Sequence, residues 1–309
     1  MVGMALRVPR RRRKVACNAA GASAMNELVA MTLEEILASH RTGRSAVMGI
    51  LNVTPDSFSD GGAFLDPSAA RVRAEQMLAE GADMIDIGAE STRPGSERVP
   101  ADEQIARLRE VLPAVAGSGA IVSIDTTLAG VAEFALDAGA RIINDISAGR
   151  DDPKLLPLAG KRRAPVVLMH MLGEPKIMQA DPRYKDVVSE VRDFLAARMA
   201  AAVAAGVGGG RIIVDPGIGF GKRLEHNLAL LAGVRVLTEL GCPVMVGPSR
   251  KRFIGELTGE TTSAQRLGGS IAACLAARRG GATIFRVHDV KETVAAFAVA
   301  GAIEGRRED

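Results

Sequence analysis

Cysteine is scarce in this chain. Cys17, Cys242 and Cys274 are scattered through 309 residues, and no two of them form a C-x-x-C pair. That excludes a disulfide framework and a four-cysteine zinc site, and it fits a reducing, cytoplasmic compartment. Long apolar runs are also missing. The best candidate, "TVAAFAVAGAI", falls short of the roughly 18–20 residues a membrane span requires, so no membrane partner is expected. An excess of positive charge is absent from all but the first residues. Arg7, Arg10, Arg11, Arg12, Arg13 and Lys14 precede any acid, and without them the chain holds 33 basic against 36 acidic residues. The body therefore offers no basic surface for nucleic acid. The basic run has the composition of an RNA-binding arm or a targeting peptide. The simpler reading is a tail outside the fold, or a start codon placed too early with Met25 or Met31 as the true start.

Catalytic motifs with fixed spacing are missing too. None of the four histidines pairs with another as metal ligands do. No Ser-His-Asp or Cys-His pattern is visible by spacing. "GIGFGK" (Gly217 to Lys222) is one residue short of a P-loop, has Arg223 where Ser or Thr would hold magnesium, and does not fit the dinucleotide fingerprint. Its glycines are expected to shape a loop that lets backbone approach a ligand closely.

From about Ser45 onward, short apolar runs alternate with longer amphipathic stretches. The runs are "AVMGILN", "DMIDIGAE", "AIVSIDT", "RIINDIS", "VVLMH", "RIIVDPG", "PVMVGPS" and "TIFRVHD". They are rich in Ile and Val and lack strict alternation, as parallel strands covered on both faces do. The stretches between them carry helix signals, such as Asp66 as an N-cap and Gly81 as a stop around "PSAARVRAEQMLAEG". Eight such units over about 265 residues predict a single α/β domain, a (β/α)8 TIM barrel with the active site at the C-terminal ends of its strands. A doubly wound sheet is the runner-up. The expected organisation is an atypical or poorly ordered extension over 1–40, the barrel over 41–305 and a tail over 306–309.

The polar residues cluster at the C-terminal ends of the runs. They are Asn52; Asp86, Glu90, Thr92 and Arg93; Asp125 and Thr126; Asn144 and Asp145; His170; Asp215; Ser249, Arg250 and Lys251; Arg286, His288 and Asp289. Any one alone could be a cap, a packed core histidine or a rim charge. Their common placement at one end points to a shared mouth. Arg286 and His288 are two residues apart and leave the same strand face. With Lys251 near them, and with the hydroxyl and guanidinium of Thr92 and Arg93, they suit a phosphorylated ligand. Asp125, Asn144 and Asp215 form a row of acceptors with an amide donor, suited to a heterocycle bearing amino and ring N–H groups.

"ILNVTPDSFSDGG", "IDIGAESTRPG", "IDT", "INDIS", "LMHM", "DPGIGFGK", "SRKRFIG" and "RVHDV" occur in this order. Together they resemble the dihydropteroate synthases, over about Ala46 to Ala302. The resemblance implies joining of 4-aminobenzoate to 7,8-dihydropterin-6-ylmethyl diphosphate, with release of pyrophosphate, in folate synthesis. It implies a homodimer and a magnesium ion held by Asn52 and the diphosphate. It implies Thr92, Arg93, Arg286 and His288 on the diphosphate, and Asp125, Asn144 and Asp215 on the pterin. Lys251 would lie along the pterin at the junction with aminobenzoate. Phe58, Asp60, Phe220 and Ser249 would serve the second substrate, with Asp60 steadying charge. The stretch after Asn52 would act as a lid with Gly61 and Gly62 as hinge. The alternatives are a pterin-dependent methyltransferase of the same wider family, which uses methyltetrahydrofolate, and a non-catalytic pterin-binding paralogue.

Overall fold

The computed structural model describes residues 31–53, 66–91, 96–173, 178–179 and 181–305. Eight strands form one sheet: β1 Ala46–Asn52, β2 Met84–Gly88, β3 Ile121–Asp125, β4 Ile142–Asp145, β5 Val166–Met169, β6 Ile212–Asp215, β7 Met245–Val246 and β8 Ile284–Val287. Their order is β6-β5-β4-β3-β2-β1-β8-β7, and every pairing is parallel. A parallel bridge between Val214 and Val244 joins the two ends of that series and closes the barrel. The expected (β/α)8 architecture is what forms.

Strand parity divides the barrel. Outward residues such as Val47, Ile85, Val122, Ile143, Leu168 and Val214 pack in one cluster with the surrounding helices. Inward residues stack in layers. Met48, Met84, Ile142, Val167, Ile213, Met245 and Ile284 form an apolar floor. Two residues on, the inward series reads Ile50, Asp86, Ser123, Asn144, Met169, Asp215, Gly247 and Arg286. Two further on it reaches Asn52, Gly88, Asp125, Ser249 and His288. The polar residues thus share the inner face at the C-terminal ends because the side-chain period of a strand is two.

The floor is sealed by residues that precede β1. Met31, Leu33, Ile36 and Leu37 pack under the apolar layer. The short helix Leu33–Leu37 starts with a capping box between Thr32 and Glu35. Asp83 accepts from the Met31 N–H (2.7 Å) and the Val47 N–H (2.8 Å), fastening this segment to β1. Ser39 Oγ donates to Thr283 Oγ1 at 2.8 Å. A boundary at residue 41 therefore cuts through the packing, which runs back to Met31.

Two stretches that read as single helices between strands, "ADEQIARLREVLPAVAG" and "EHNLALLAGVRVLTELG", break. Ala101–Leu108 and Val111–Ala116 separate because Pro113 has no N–H and would clash with the carbonyl of Arg109. Leu224–Ala232 and Val234–Thr238 separate at Gly233, where a Cβ would lie 2.9 Å from Val188. The helix Pro67–Ala79 starts at Asp66, whose carboxylate accepts from the Ser68 N–H, and ends beside Gly81 at φ +100°, both as expected.

Candidate active site at the mouth of the barrel

The deepest polar group is an ionic trio. Arg286 Nε donates to Asp86 Oδ2 (2.6 Å) and Nη2 to Asp125 Oδ2 (2.9 Å). Asn144 Nδ2 also donates to Asp86 Oδ2, at 3.0 Å. Asp86 is fully buried, and its Oδ1 has no hydrogen-bond partner among the described residues. Burial works against the Arg286 charge, but Asp86 and Asp125 outweigh it and raise its pKa. Burial pushes Asp125 up to about 7, against the pull of Arg286. Asn144 was expected as an amide donor to the ligand. One of its two N–H donors is engaged with Asp86, and its side-chain carbonyl oxygen accepts no bond among the described residues.

Asp215 lies at the end of β6, its Oδ1 accepting the Gly217 N–H at 2.6 Å. Burial raises it to about 6, opposed by that N–H and by Lys251. Asp125, Asn144, Asp215, Phe220, Lys251 and Arg286 line a single cavity, with Ile146, Met169 and Met245 among its apolar walls. Six of the sequence-predicted residues, from five β–α units, thus meet in one place. Lys251 Nζ sits 4.0 Å from the centre of the Phe220 ring. Burial, with Arg286 nearby, lowers Lys251 to about 8.

The loop "GIGFG" earns its glycines. Gly217, Gly219 and Gly221 all have positive φ (66°, 83° and 60°). A Cβ at Gly217 would lie 2.0 Å from the His170 carbonyl oxygen, and one at Gly221 would lie 2.7 Å from that of Leu172. The close approach these glycines allow is to the segment after β5, where the expectation was approach to a ligand.

At the rim, Ser249 Oγ accepts the His288 backbone N–H (3.2 Å) and stands 3.1 Å from Nδ1. With the hydroxyl donating to Nδ1, the neutral ring carries its proton on Nε2. Burial and then Arg286 hold His288 neutral, at about 3. Arg250 turns the other way. Its guanidinium grips Asp289 at 3.0 and 2.5 Å, and its left-handed backbone (φ 58°) is held by Ser270 and Arg266. That clamp separates Ser249 and Lys251, which serve the mouth, from Arg250, which serves the scaffold.

Asn52 pairs in register with Gly88, where a Cβ would sit 3.8 Å from Asn52 Oδ1 and 3.5 Å from Asp125 Cβ. Among the described residues no hydrogen bond to the Asn52 side chain is formed, and no cluster of three His, Cys, Asp or Glu suits a metal. Phe58, Asp60, Thr92 and Arg93, together with the lid and its hinge, lie outside the described residues.

Several strand-end residues prove structural. Asp145 faces outward and accepts from Ser147 (2.7 Å) and Gly149 (2.5 Å). Glu90 takes the Val99 N–H (3.0 Å) and Gln104 (3.2 Å), and Gln104 in turn receives Thr126. His170 stacks edge-on against Phe194 at 4.8 Å. Sequence reasoning gave Asp86 no role. The signal was there: a carboxylate on the inward face, two residues after Met84 and inside an otherwise apolar run.

The pterin binding enzyme family matches residues 48–288, so the chain belongs to the pterin-binding enzymes. A dihydropteroate synthase of Neisseria meningitidis serogroup B is 49% identical over 258 residues, 82% of this chain and 90% of that protein. The Xanthomonas albilineans dihydropteroate synthase solved with 4-aminobenzoic acid has a TM-score of 0.80 at 47% identity, covering 84% of this chain and 93% of that one. The same species' enzyme in complex with 7,8-dihydropteroate gives 0.76 at 45%, covering 84% and 94%. Within the pterin-binding enzymes this chain falls among the dihydropteroate synthases, transferases of folate synthesis.

Proposed function

We propose that the cavity takes 7,8-dihydropterin-6-ylmethyl diphosphate, and that 4-aminobenzoate displaces its pyrophosphate to give 7,8-dihydropteroate. The observation that carries this is the meeting of Asp125, Asn144, Asp215, Phe220, Lys251 and Arg286 around one cavity. Asp125, Asp215 and the Asn144 carbonyl offer acceptors to the amino and ring N–H groups of the pterin. Arg286, pinned by two carboxylates, places a cation beside that ring without having to reorganise. His288, oriented at the rim by Ser249, offers its Nε2–H to the diphosphate. Lys251 and Phe220 form the wall against which the aminobenzoate lies.

No nucleophilic side chain is required. The carbon–oxygen bond to the diphosphate breaks, the leaving group takes the electron pair, and the aromatic amine forms the new bond as it loses a proton. The protein holds the amine close to that carbon and stabilises charge on both sides of the breaking bond. Asn52 fits a magnesium ion carried by the diphosphate. It is a neutral oxygen donor with no other side-chain partner among the described residues, and Mg2+ keeps most of its shell as water and phosphate oxygens. When bound, the ion neutralises leaving-group charge. Thr92 and Arg93 are proposed to bind the diphosphate, and Phe58 and Asp60 to serve the aminobenzoate side.

The test is pyrophosphate release, expected only with both substrates and Mg2+ present. A folded sample that binds the pterin and releases nothing would overturn the reading. We further propose a cytoplasmic homodimer. Among the described residues no helix is long and apolar enough to cross a membrane. Cys242 and Cys274 are buried free thiols, as a reducing compartment allows. Val299 and Ile303, one turn apart on the last helix, are exposed and suit a partner subunit. Sedimentation of the purified protein checks this.

A further inference from the structure

We propose that Lys222 is a positioning residue that sets Phe220 against Lys251 and thereby shapes the aminobenzoate side of the cavity. This rests on the substrate assignment above. Lys222 does not line the cavity. It is 3% exposed, and its ammonium contacts no carboxylate within ion-pair distance among the described residues. Its partners are the Phe220 carbonyl (2.9 Å), His170 Nδ1 (3.0 Å) and the His170 carbonyl (3.4 Å). An unpaired buried ammonium is costly, and an apolar side chain of that length would pack with no such penalty. What the ammonium adds is a tie between the loop after β6 and the end of β5.

That tie is one of a set. Three consecutive carbonyls of the loop are each taken by a different side chain. Gln179 holds Gly219 (2.6 Å), Lys222 holds Phe220, and Tyr184 holds Gly221 (2.8 Å). The Gly219 N–H is bound in turn by Asn227 (2.7 Å). Phe220 is the middle residue, and its ring is the one that meets Lys251. The anchor for Lys222 is itself packed: the buried His170 ring lies between Phe194 (4.8 Å) and Tyr184 (6.0 Å). Burial, with Lys222 beside it, keeps that ring neutral at about 2, so Nδ1 can accept from the ammonium. Burial lowers Lys222 itself to about 7, with Asp215 opposing and Lys251 reinforcing. Its charge is thus held in a field made by the residues it helps to arrange.

The experiment is a double-mutant cycle between Lys222→Met and Phe220→Ala. It reads KM for 4-aminobenzoate, kcat, and the Kd of the pterin diphosphate by calorimetry. Lys222→Met is expected to raise the aminobenzoate KM about tenfold, with the pterin Kd nearly unchanged, and to add little in the Phe220→Ala background. In the ligand-free protein the same substitution should speed hydrogen exchange over residues 217–222, a readout independent of turnover. Should Lys222→Met not fold, Lys222→Arg keeps the charge but displaces the carbonyl anchor, and the same selective rise in KM is expected. An undiminished effect of Lys222→Met in the Phe220→Ala background would overturn the proposal. So would a pterin Kd that shifts as much as the aminobenzoate KM, or unaltered exchange. Failure of the wild-type chain to release pyrophosphate would instead count against the substrate assignment.

Discussion

The floor and the mouth of the barrel are made by the same strands and the same inward faces, yet they are opposite in character. Met48, Met84, Ile142 and Ile213 meet Ile36 and Leu37 in a dry apolar layer. Two residues further along the chain, Asp86, Asn144, Asp215 and Arg286 replace that layer with charges and amides. A step of two residues along a strand is about 6.6–6.8 Å. Over that distance the interior passes from a surface that excludes water to one that binds a polar ring. The floor's side chains are held by burial and close packing, with the segment beneath them fastened at its edges by Asp83 and Ser39. The mouth needs each charge answered, and its members fail together when one is removed.

The largest test of that difference is Arg286→Ala. It leaves Asp86 and Asp125 buried without their cation, and breaking such a buried pair costs about 3–5 kcal/mol. Denaturant unfolding should show that loss, and turnover should fall with it; a stable, active variant would dissolve the distinction. Ile36→Ala strikes the floor instead. A loss of about 2–4 kcal/mol is expected for a fully buried isoleucine, with kcat/KM of the folded protein unchanged. Reduced kcat/KM in that variant would show that floor and mouth are coupled.

Acid sharpens the contrast because the side chains of the apolar floor layer have nothing to titrate. Burial raises Asp215 from the ordinary 3.8 to about 6, so the folded chain holds that proton more tightly than the unfolded one. The ligand-free protein should therefore lose stability as pH rises from about 4 to about 6. Pterin affinity should move the other way, strengthening as pH climbs through about 6 and the carboxylate becomes free to accept. Calorimetry across that window should give a profile that Asp215→Asn flattens. The smallest effect is Ser249→Ala, which removes the hydroxyl beside His288 Nδ1. About 1 kcal/mol is expected, read as a loss of several-fold in kcat/KM with little change in unfolding.

Much of this was legible in the residues. The run "AVMGILN" is β1 from end to end, because six buried residues followed by a half-buried Asn leave no other reading. Asp125, Asn144, Asp215 and Arg286 meet around one mouth because they share the inward parity of parallel strands, whereas Asp145, one residue out of phase, faces outward. What could not be read was set by distant contacts. "PVMVGPS" supplies just the two strand residues of β7. "TLEEIL" is too short to show a helical period, and it is helical because Met31, Leu33 and Ile36 find the open floor. The sorting of "SRK" into Ser249 and Lys251 at the mouth and Arg250 on Asp289 depends on one left-handed residue. Nothing local announces that turn.

The bond from Ser39 to Thr283 spans 244 positions of the chain, and β8 lies between β1 and β7. The final strand is therefore a keystone. Until it arrives, β1 and β7 each present an unsatisfied edge and the floor has a gap beneath it. During synthesis most of the polypeptide must wait, half assembled, for its last thirty or so residues, and such late, non-local closure slows folding and exposes edges to mispairing. A nascent chain stopped before Thr283 is expected to be a substrate for chaperones rather than a smaller barrel.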